Sequence, residues 1–362
     1  MRHRIPALFI LLLGISAMAQ TTVTSYTPGV TTEGAAYYLP KTAINVSITT
    51  EKTTFTPGEL CHYAERYLRV TGISNEADCY HSIQSVAIST EGLPDASKLY
   101  HILFTTGSVA PLVTLSETGV LLGVNVVAAP TAESPVEAPS GQSAKKLLSP
   151  RSFMTEEMLV TGSKAKLAEL VAKEIYSIRE SRNLIIRGQG DHMPQDGESF
   201  RLILAGLDEQ EQAFMQLFTG VTTTEVVTQT YQVIPDTVAD KLILGRFSRK
   251  LGLLHGDDLA GSPLYIDIKS KQPIHEPTAN VPASTGKGKK GKGGALQDGL
   301  VYNLPGQAEV KVYSNTQVLA SESLPLAQFG RTETLSSTLL TKKKDVKVTL
   351  DPATGALLHV EE

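Results

Sequence analysis

Three short patterns recur in the same order near the two ends of this chain, and they constrain its fold more than any other feature of its 362 residues. Tyr37-x-Leu39-Pro40-x-x-Ala43 returns as Tyr302-x-Leu304-Pro305-x-x-Ala308, and Thr90-Glu91-x-Leu93-Pro94-x-Ala96 returns as Ser321-Glu322-x-Leu324-Pro325-x-Ala327. Val113-Thr114-Leu115, followed by Thr118-Gly119-x-Leu121-Leu122-x-Val124, returns as Val348-Thr349-Leu350, followed by Thr354-Gly355-x-Leu357-Leu358-x-Val360. One such match is chance, but three in order point to two versions of one β-rich module. The third reads as a β-hairpin, with Gly119 and Gly355 supplying the positive φ of its turn. The Leu-Pro steps are expected where chain enters or leaves a strand, because a missing amide donor is tolerated there.

The first two patterns lie 53 residues apart in the first copy and 19 in the second, so the first copy holds an insertion. Thr56-Pro57-Gly58-Glu59 has the form of a capping box with Pro at the first helical position. Leu60, Tyr63, Ala64, Tyr67 and Leu68 follow at helical spacing, which predicts a helix packed on the sheet. The chain has two cysteines, Cys61 and Cys79, and both fall in this insertion. In an oxidising compartment they are a disulfide candidate pinning the far end of the helix, and otherwise two buried thiols. Their spacing makes neither a CxxC redox motif nor a four-ligand zinc set.

The compartment is set by the N-terminus. Arg2, His3 and Arg4 give a positive start, Ala7 to Ile15 is almost wholly apolar, and Ala17-Met18-Ala19 places small residues at a cleavage site. This is the form of a secretory signal peptide over 1–19, with the mature chain starting near Gln20. The apolar run is too short for a bilayer span, and Val120 to Ala129, the longest later one, is shorter than a span as well. Loss of Arg2 and Arg4 moves the net charge from -4 to -6, which gives no general attraction for phosphate backbones, so nucleic acid is not an expected partner. Periplasm is the expected destination, with release outside the cell as the alternative.

Two stretches lack the periodicity that buries a core: one of Pro, Ala and Ser over 128–148, and one of Gly and Lys over 276–299. They leave a β-rich module at 20–127 with its inserted helix and Cys pair, a central α+β region at 149–275, and a second β-rich module at 300–362. In the centre, Leu167, Leu170, Val171, Ile175 and Ile178 line a helix from about Gly162 to Glu180. A second apolar face runs from Phe200 to Phe218 and stops at Gly220, with Asp208 and Glu211 placed to recap it midway, so one bent helix or two short ones fit. Strands are expected over Glu225 to Ile234, Lys241 to Phe247 and Leu264 to Lys269, and the class is α+β.

Several of these segments also resemble a known family: Tyr37-Tyr38-Leu39-Pro40-Lys41-Thr42, Thr56-Pro57-Gly58-Glu59 with Tyr63 to Leu68, and Met193-Pro194-x-Asp196-Gly197. Leu217-Phe218-Thr219-Gly220, Ala327-Gln328-Phe329-Gly330 and Thr354-Gly355-Ala356-Leu357 complete the set. Together they are similar to the domain of unknown function 4831 family, exported proteins of Bacteroides-type bacteria. The resemblance runs from about Tyr37 to Val360 and implies a Gram-negative envelope setting. It implies no activity, substrate or catalytic residue.

Motifs for chemistry fail on context. Gly286 to Lys292 fits GxxxxGK, but Gly293 stands where a magnesium-binding hydroxyl belongs, and no strand leads in. Ser143 and Lys146 give SxxK within a Pro/Ser-rich linker, without the companion elements of acyl-enzyme proteins. Asp191, His192, Asp196 and Glu198 form the densest set of metal-type donors, and His255, Asp257 and Asp258 the next. Neither has HExxH or EF-hand spacing; Asp196 is more simply a helix N-cap and the second set a Gly-rich turn. No metal or other cofactor is therefore expected. The reading that remains is a non-catalytic envelope protein that binds or scaffolds a protein or glycan. Its alternative is a hydrolase of an envelope or dietary polymer, which would need a carboxylate pair that the sequence alone does not single out.

Overall fold

The computed structural model describes residues 22–25, 34–103, 112–126, 149–189, 197–271, 299–336 and 346–361. The 1–19 segment, the 128–148 linker, Ser143, Lys146, and all but the last residue of the 276–299 stretch lie outside them. The architecture is β-rich, with three antiparallel sheets and few helices.

Two very long hairpins form the frame. Strand β2 (Gly34–Thr56) pairs with β3 (Asp78–Leu103), and β10 (Gly299–Ser314) pairs with β11 (Gln317–Ser336). Strands β1 (Thr22–Ser25) and β6 (Val221–Val233) complete the first sheet in the order β1-β3-β2-β6. Strands β7 (Ala239–Ser248), β8 (Gly252–Leu254) and β9 (Ser262–Ser270) complete the second as β11-β10-β9-β7-β8. A third sheet joins two short hairpins, β4 (Val113–Leu115) with β5 (Leu121–Val124) and β12 (Lys347–Leu350) with β13 (Leu357–Glu361), in the order β13-β12-β5-β4.

Strand length explains how one frame serves two cores. At about 3.3 Å per residue, β2 is long enough to line one core with its start and another with its middle. Tyr37 and Leu39 pack with Leu121, Val124, Val301 and Val348. Ile44, Val46 and Ile48, alternating on one face, pack with Leu264, Ile266 and Ile268 of β9 and with Val310 and Val312 of β10. Each fully buried aliphatic side chain here contributes about 1.5–3 kcal/mol of transfer free energy.

The Leu-Pro steps lie within strands rather than at their ends. Pro40 is paired with Pro94, and the β2–β3 register jumps between Tyr38 and Pro40; the β10–β11 register jumps between Leu304 and Gly306. The break in β10 leaves Pro305 out of the ladder, Pro40 and Pro94 face each other on the rung beside the break in β2, and Pro325 lies on the edge strand β11, positions where a missing amide donor is tolerated. The two short hairpins match expectation and match each other. Val113 faces Val124 and Leu115 faces Leu121, while Val348 faces Val360 and Leu350 faces Leu357, each pair with a bulge before its Leu.

Four α-helices are described, and all four contribute to one core. Helix α1 (Ala64–Leu68) follows a 3-10 turn at Cys61–Tyr63; α2 (Glu156–Val160) precedes α3 (Lys164–Ile186) and α4 (Gly197–Thr219). The expected capping box at Thr56 does not form, since Thr56 ends β2 and the chain turns helical only at Cys61. The C-terminal end of α4 takes its place. Leu60 N–H donates to Leu217 O at 2.8 Å, satisfying an orphan helix carbonyl, and a Cβ on Gly58 would lie 2.2 Å from the same oxygen. Leu60, Ala64 and Leu68 are thereby buried against Val171, Ile175 and Phe214, so α1 packs on helices and not on the sheet. Helix α4 is one unbroken helix, because Asp208 and Glu211 pair with Arg182 at 2.8 Å and Arg179 at 2.6 Å on α3 instead of recapping it. The three strands expected in the centre are β6, β7 and β9, and they divide between two sheets: β6 extends β2, whereas β9 extends β10.

Candidate functional site

The most informative recess lies where the first two sheets meet. Its walls are Tyr80 to Ile83 at the start of β3, Phe247 and Arg249 at the end of β7, and Ser314, Gln317 and Leu319 around the β10–β11 turn; its volume is about 400 Å³. His81 N–H donates to Arg249 O at 2.7 Å and Lys250 Nζ donates to Asp78 Oδ1 at 2.6 Å, fastening the β7–β8 turn to β3. The bond from Lys250 and its charge, with a smaller contribution from Arg249, hold the Asp78 carboxyl below its ordinary range. The Arg249 guanidinium lies 5.2 Å from the centre of the Tyr80 ring, within cation–π range. Ile83, Phe247 and Leu319 belong to the margin of the core beneath, so the floor is apolar.

Recognition groups are thus gathered, but they are not wired for nucleophilic catalysis. A Ser-His mechanism needs an imidazole hydrogen-bonded to the serine on one side and oriented by a third group on the other. His81 Nδ1 is buried with no hydrogen-bond partner, and its ring packs against Gly252, where a Cβ would lie 3.0 Å away. Ser82 Oγ accepts from Gln84 Nε2 at 3.2 Å and Ser314 Oγ donates to Pro263 O at 3.5 Å, and neither hydroxyl bonds His81 Nδ1. Among the described residues the lining contains no carboxylate. What the arrangement can do is grip a ligand between a cation, an aromatic face and an amide.

The residues singled out in the sequence are scattered. Cys61 opens the turn into α1 and Cys79 lies opposite Thr54 on β3; both are free and part-exposed, so no disulfide is formed. Cys79 instead accepts a weak bond from Thr54 Oγ1, 3.8 Å away. Asp191, His192 and Asp196 lie outside the described residues, while Glu198 forms an ion pair with Arg201 on the first turn of α4. His255 and Asp257 form an exposed pair at 3.2 Å, and Asp258 Oδ1 accepts from Ala260 N–H in the same turn. Among the described residues no three His, Cys, Asp or Glu side chains converge on a point. Also among them, no helix is long and apolar enough to cross a membrane.

Sequence reasoning missed a second constellation, a buried polar knot joining the two ends of the chain. Asn303, fully buried, donates from Nδ2 to Pro40 O at 2.9 Å and to Thr354 O at 2.8 Å. Thr42, also fully buried, donates from Oγ1 to Ala353 O at 3.0 Å and accepts from Ala327 N–H at 3.1 Å. Gln328 closes the knot through both backbone groups of Thr42, at 3.0 and 2.8 Å. Each partner is more than 260 residues away except Thr354, so no local signal exists. All of these segments lie within one family match. Residues 33–358 fit the model of a family described as Domain of unknown function (DUF4831).

The chain belongs to that family. The knot, both long hairpins and the recess are therefore parts of the DUF4831 domain and not additions to it. No curated protein and no solved structure matches this chain.

Proposed function

We propose that this DUF4831 protein is an exported envelope protein that works by binding rather than catalysis, assembled from two related β modules. The N-terminal segment with its charged start, apolar stretch and Ala17-Met18-Ala19 supports export, and a Gram-negative periplasm is the setting we assign. Two equivalent contacts support the module reading. Tyr38 N–H donates to Gly119 O at 2.9 Å, and Asn303 N–H donates to Gly355 O at 3.0 Å. The donors occupy the same place in the first repeated pattern and the acceptors the same place in the third. Each copy folds its short hairpin back on its long one by the same bond.

One observation carries the binding reading: a recess that sets the Arg249 guanidinium by the Tyr80 ring beside Gln317 and has, among the described residues, no carboxylate in its lining. The ligand class this suits is an anionic group on an envelope protein or glycan, held by the guanidinium and packed on the tyrosine. The test is binding of uronic-acid glycans and acidic envelope peptides by the native chain and Arg249→Ala, with released product measured in parallel. Binding that Arg249→Ala abolishes, without turnover, is the expected outcome. Equal binding by both proteins would reject the recess, and product release would reject the non-catalytic reading. Recovery of uncut chain from the cytosol of its native cells would reject export.

A further inference from the structure

The strand that borders the first sheet carries an independent conclusion. In β6 every residue from Thr222 to Thr230 is exposed, so neither face of this nine-residue run is covered. It forms the sheet edge, paired with β2 on one side without a register break. An edge strand presents free N–H and C=O groups to any strand that docks, and proteins normally blunt such edges with charge, proline or bulges. Another long edge, β11, is blunted in this way: it carries Glu322, Pro325, Arg331 and Glu333, and its pairing with β10 is broken by bulges. The β6 run has no proline and one charge, Glu225, which Lys52 of β2 approaches to 3.9 Å.

Its sequence says what fits beside it. Read outward from Val226, residues 222, 224, 226, 228 and 230 are Thr, Thr, Val, Thr and Thr, the same in both directions. These alternate residues share one face of the strand. We propose that a second copy of this chain docks here, β6 against β6, antiparallel about a two-fold axis through Val226.

That register places Thr222 opposite Thr230 and Thr224 opposite Thr228, with Val226 opposite itself. Thr-Thr and β-branched pairs are favourable cross-strand neighbours. Glu225 falls opposite Val227 of the second copy, so the two carboxylates do not face each other. The threonine ladder already extends inward, since Thr228 hydrogen-bonds Thr49 at 3.0 Å and Thr230 bonds Ser47 at 2.9 Å. Pairing across the axis makes one continuous eight-strand sheet, and the isologous contact closes after two copies.

The test is the mass of the purified chain by light scattering at about 100 µM, where a micromolar dimer is formed. A doubled mass is expected. Val226→Lys puts two ammonium groups on the axis and weakens the dimer at least roughly tenfold, read as a shift of the dissociation midpoint over a dilution series, because like charges directly opposite repel. Val226 is at the surface, so circular dichroism and the melting temperature of that variant should match the native chain when both are dilute enough to be monomeric. In a Cys61→Ser/Cys79→Ser background, Val226→Cys should cross-link into dimers on oxidation, and Val318→Cys on β11 should not. A monomer at this concentration overturns the proposal, including one that captures an extended strand of another protein. A dimer indifferent to Val226→Lys, or one that Val226→Cys fails to cross-link, overturns it as well.

Discussion

Replacing Asn303 by Ala tests whether the buried knot holds the ends of the chain together. The Asn303 side chain is completely buried, and its amide group supplies hydrogens to Pro40 O and Thr354 O. Pro40 faces Pro94 across β2 and β3, a rung to which neither residue brings an N–H, so the Asn303 amide stands in for a ladder donor there. Asn303→Ala strips both carbonyls of this partner in a site too enclosed for ready solvation. At roughly 1–3 kcal/mol for each buried group left unpaired, the cost is about 2–4 kcal/mol, allowing for the second lone pair of each carbonyl. For a chain of this size that corresponds to a melting temperature lower by about 3–8 °C. The assay is thermal unfolding followed by circular dichroism, with Asn45→Ala as control. Asn45 also donates through Nδ2, to Glu91 at 2.9 Å, but in an exposed pair worth little. Equal melting temperatures for the two variants would refute the reasoning, because they would mean that burial of the knot adds nothing.

Alkaline pH should destabilise the fold through Tyr37. Burial, only partly opposed by its bond to Val301, raises the Tyr37 pKa far above its ordinary value, so the folded state holds the proton more tightly than the unfolded chain. Its contribution is then complete below the unfolded pKa of about 10 and is lost as pH rises toward the folded one, by about 1.4 kcal/mol per pH unit. Tyr37→Phe should flatten that alkaline limb in urea titrations at a cost of about 1 kcal/mol at pH 7; an unchanged limb would assign it to other tyrosines. The two repeat glycines should differ in tolerance. Both have positive φ, but a Cβ on Gly355 would lie 2.7 Å from Pro40 Cδ, whereas one on Gly119 would lie 3.3 Å from the Tyr38 ring. Gly119→Ala should cost about 1 kcal/mol and Gly355→Ala at least about twice that; the reverse order in denaturant unfolding would contradict the packing.

What the sequence made legible was local. The short hairpins follow from alternation interrupted by Thr-Gly, and α3 and α4 follow from apolar spacing that nearby chain need not supplement. The failed capping box shows the limit. Thr56-Pro57-Gly58-Glu59 has every local requirement of a helix start, yet a carbonyl contributed by Leu217 draws the chain past it. Asp208 and Glu211 mislead for the same reason, since their arginine partners are on another helix. The recess draws on three turns far apart in sequence, so neither His81 nor Arg249 carries a signal of its own.

The same non-locality shows in where the repeated patterns are buried. Tyr37 and Leu39 of the first copy share a core with Leu300 and Val301 beside the second, and Ile44 and Val46 share another with Ala308 and Val310. Tyr37 Oη also donates to Val301 O at 3.3 Å and accepts from Val301 N–H at 3.2 Å. The residues around the first pattern therefore find apolar and polar partners in the strand that carries its recurrence, more than 250 residues away. A Leu-Pro step suits such a meeting place, because a bulged, donor-poor rung leaves a carbonyl for a distant side chain to reach. At Pro40 that side chain is Asn303, one residue before the Leu304-Pro305 step.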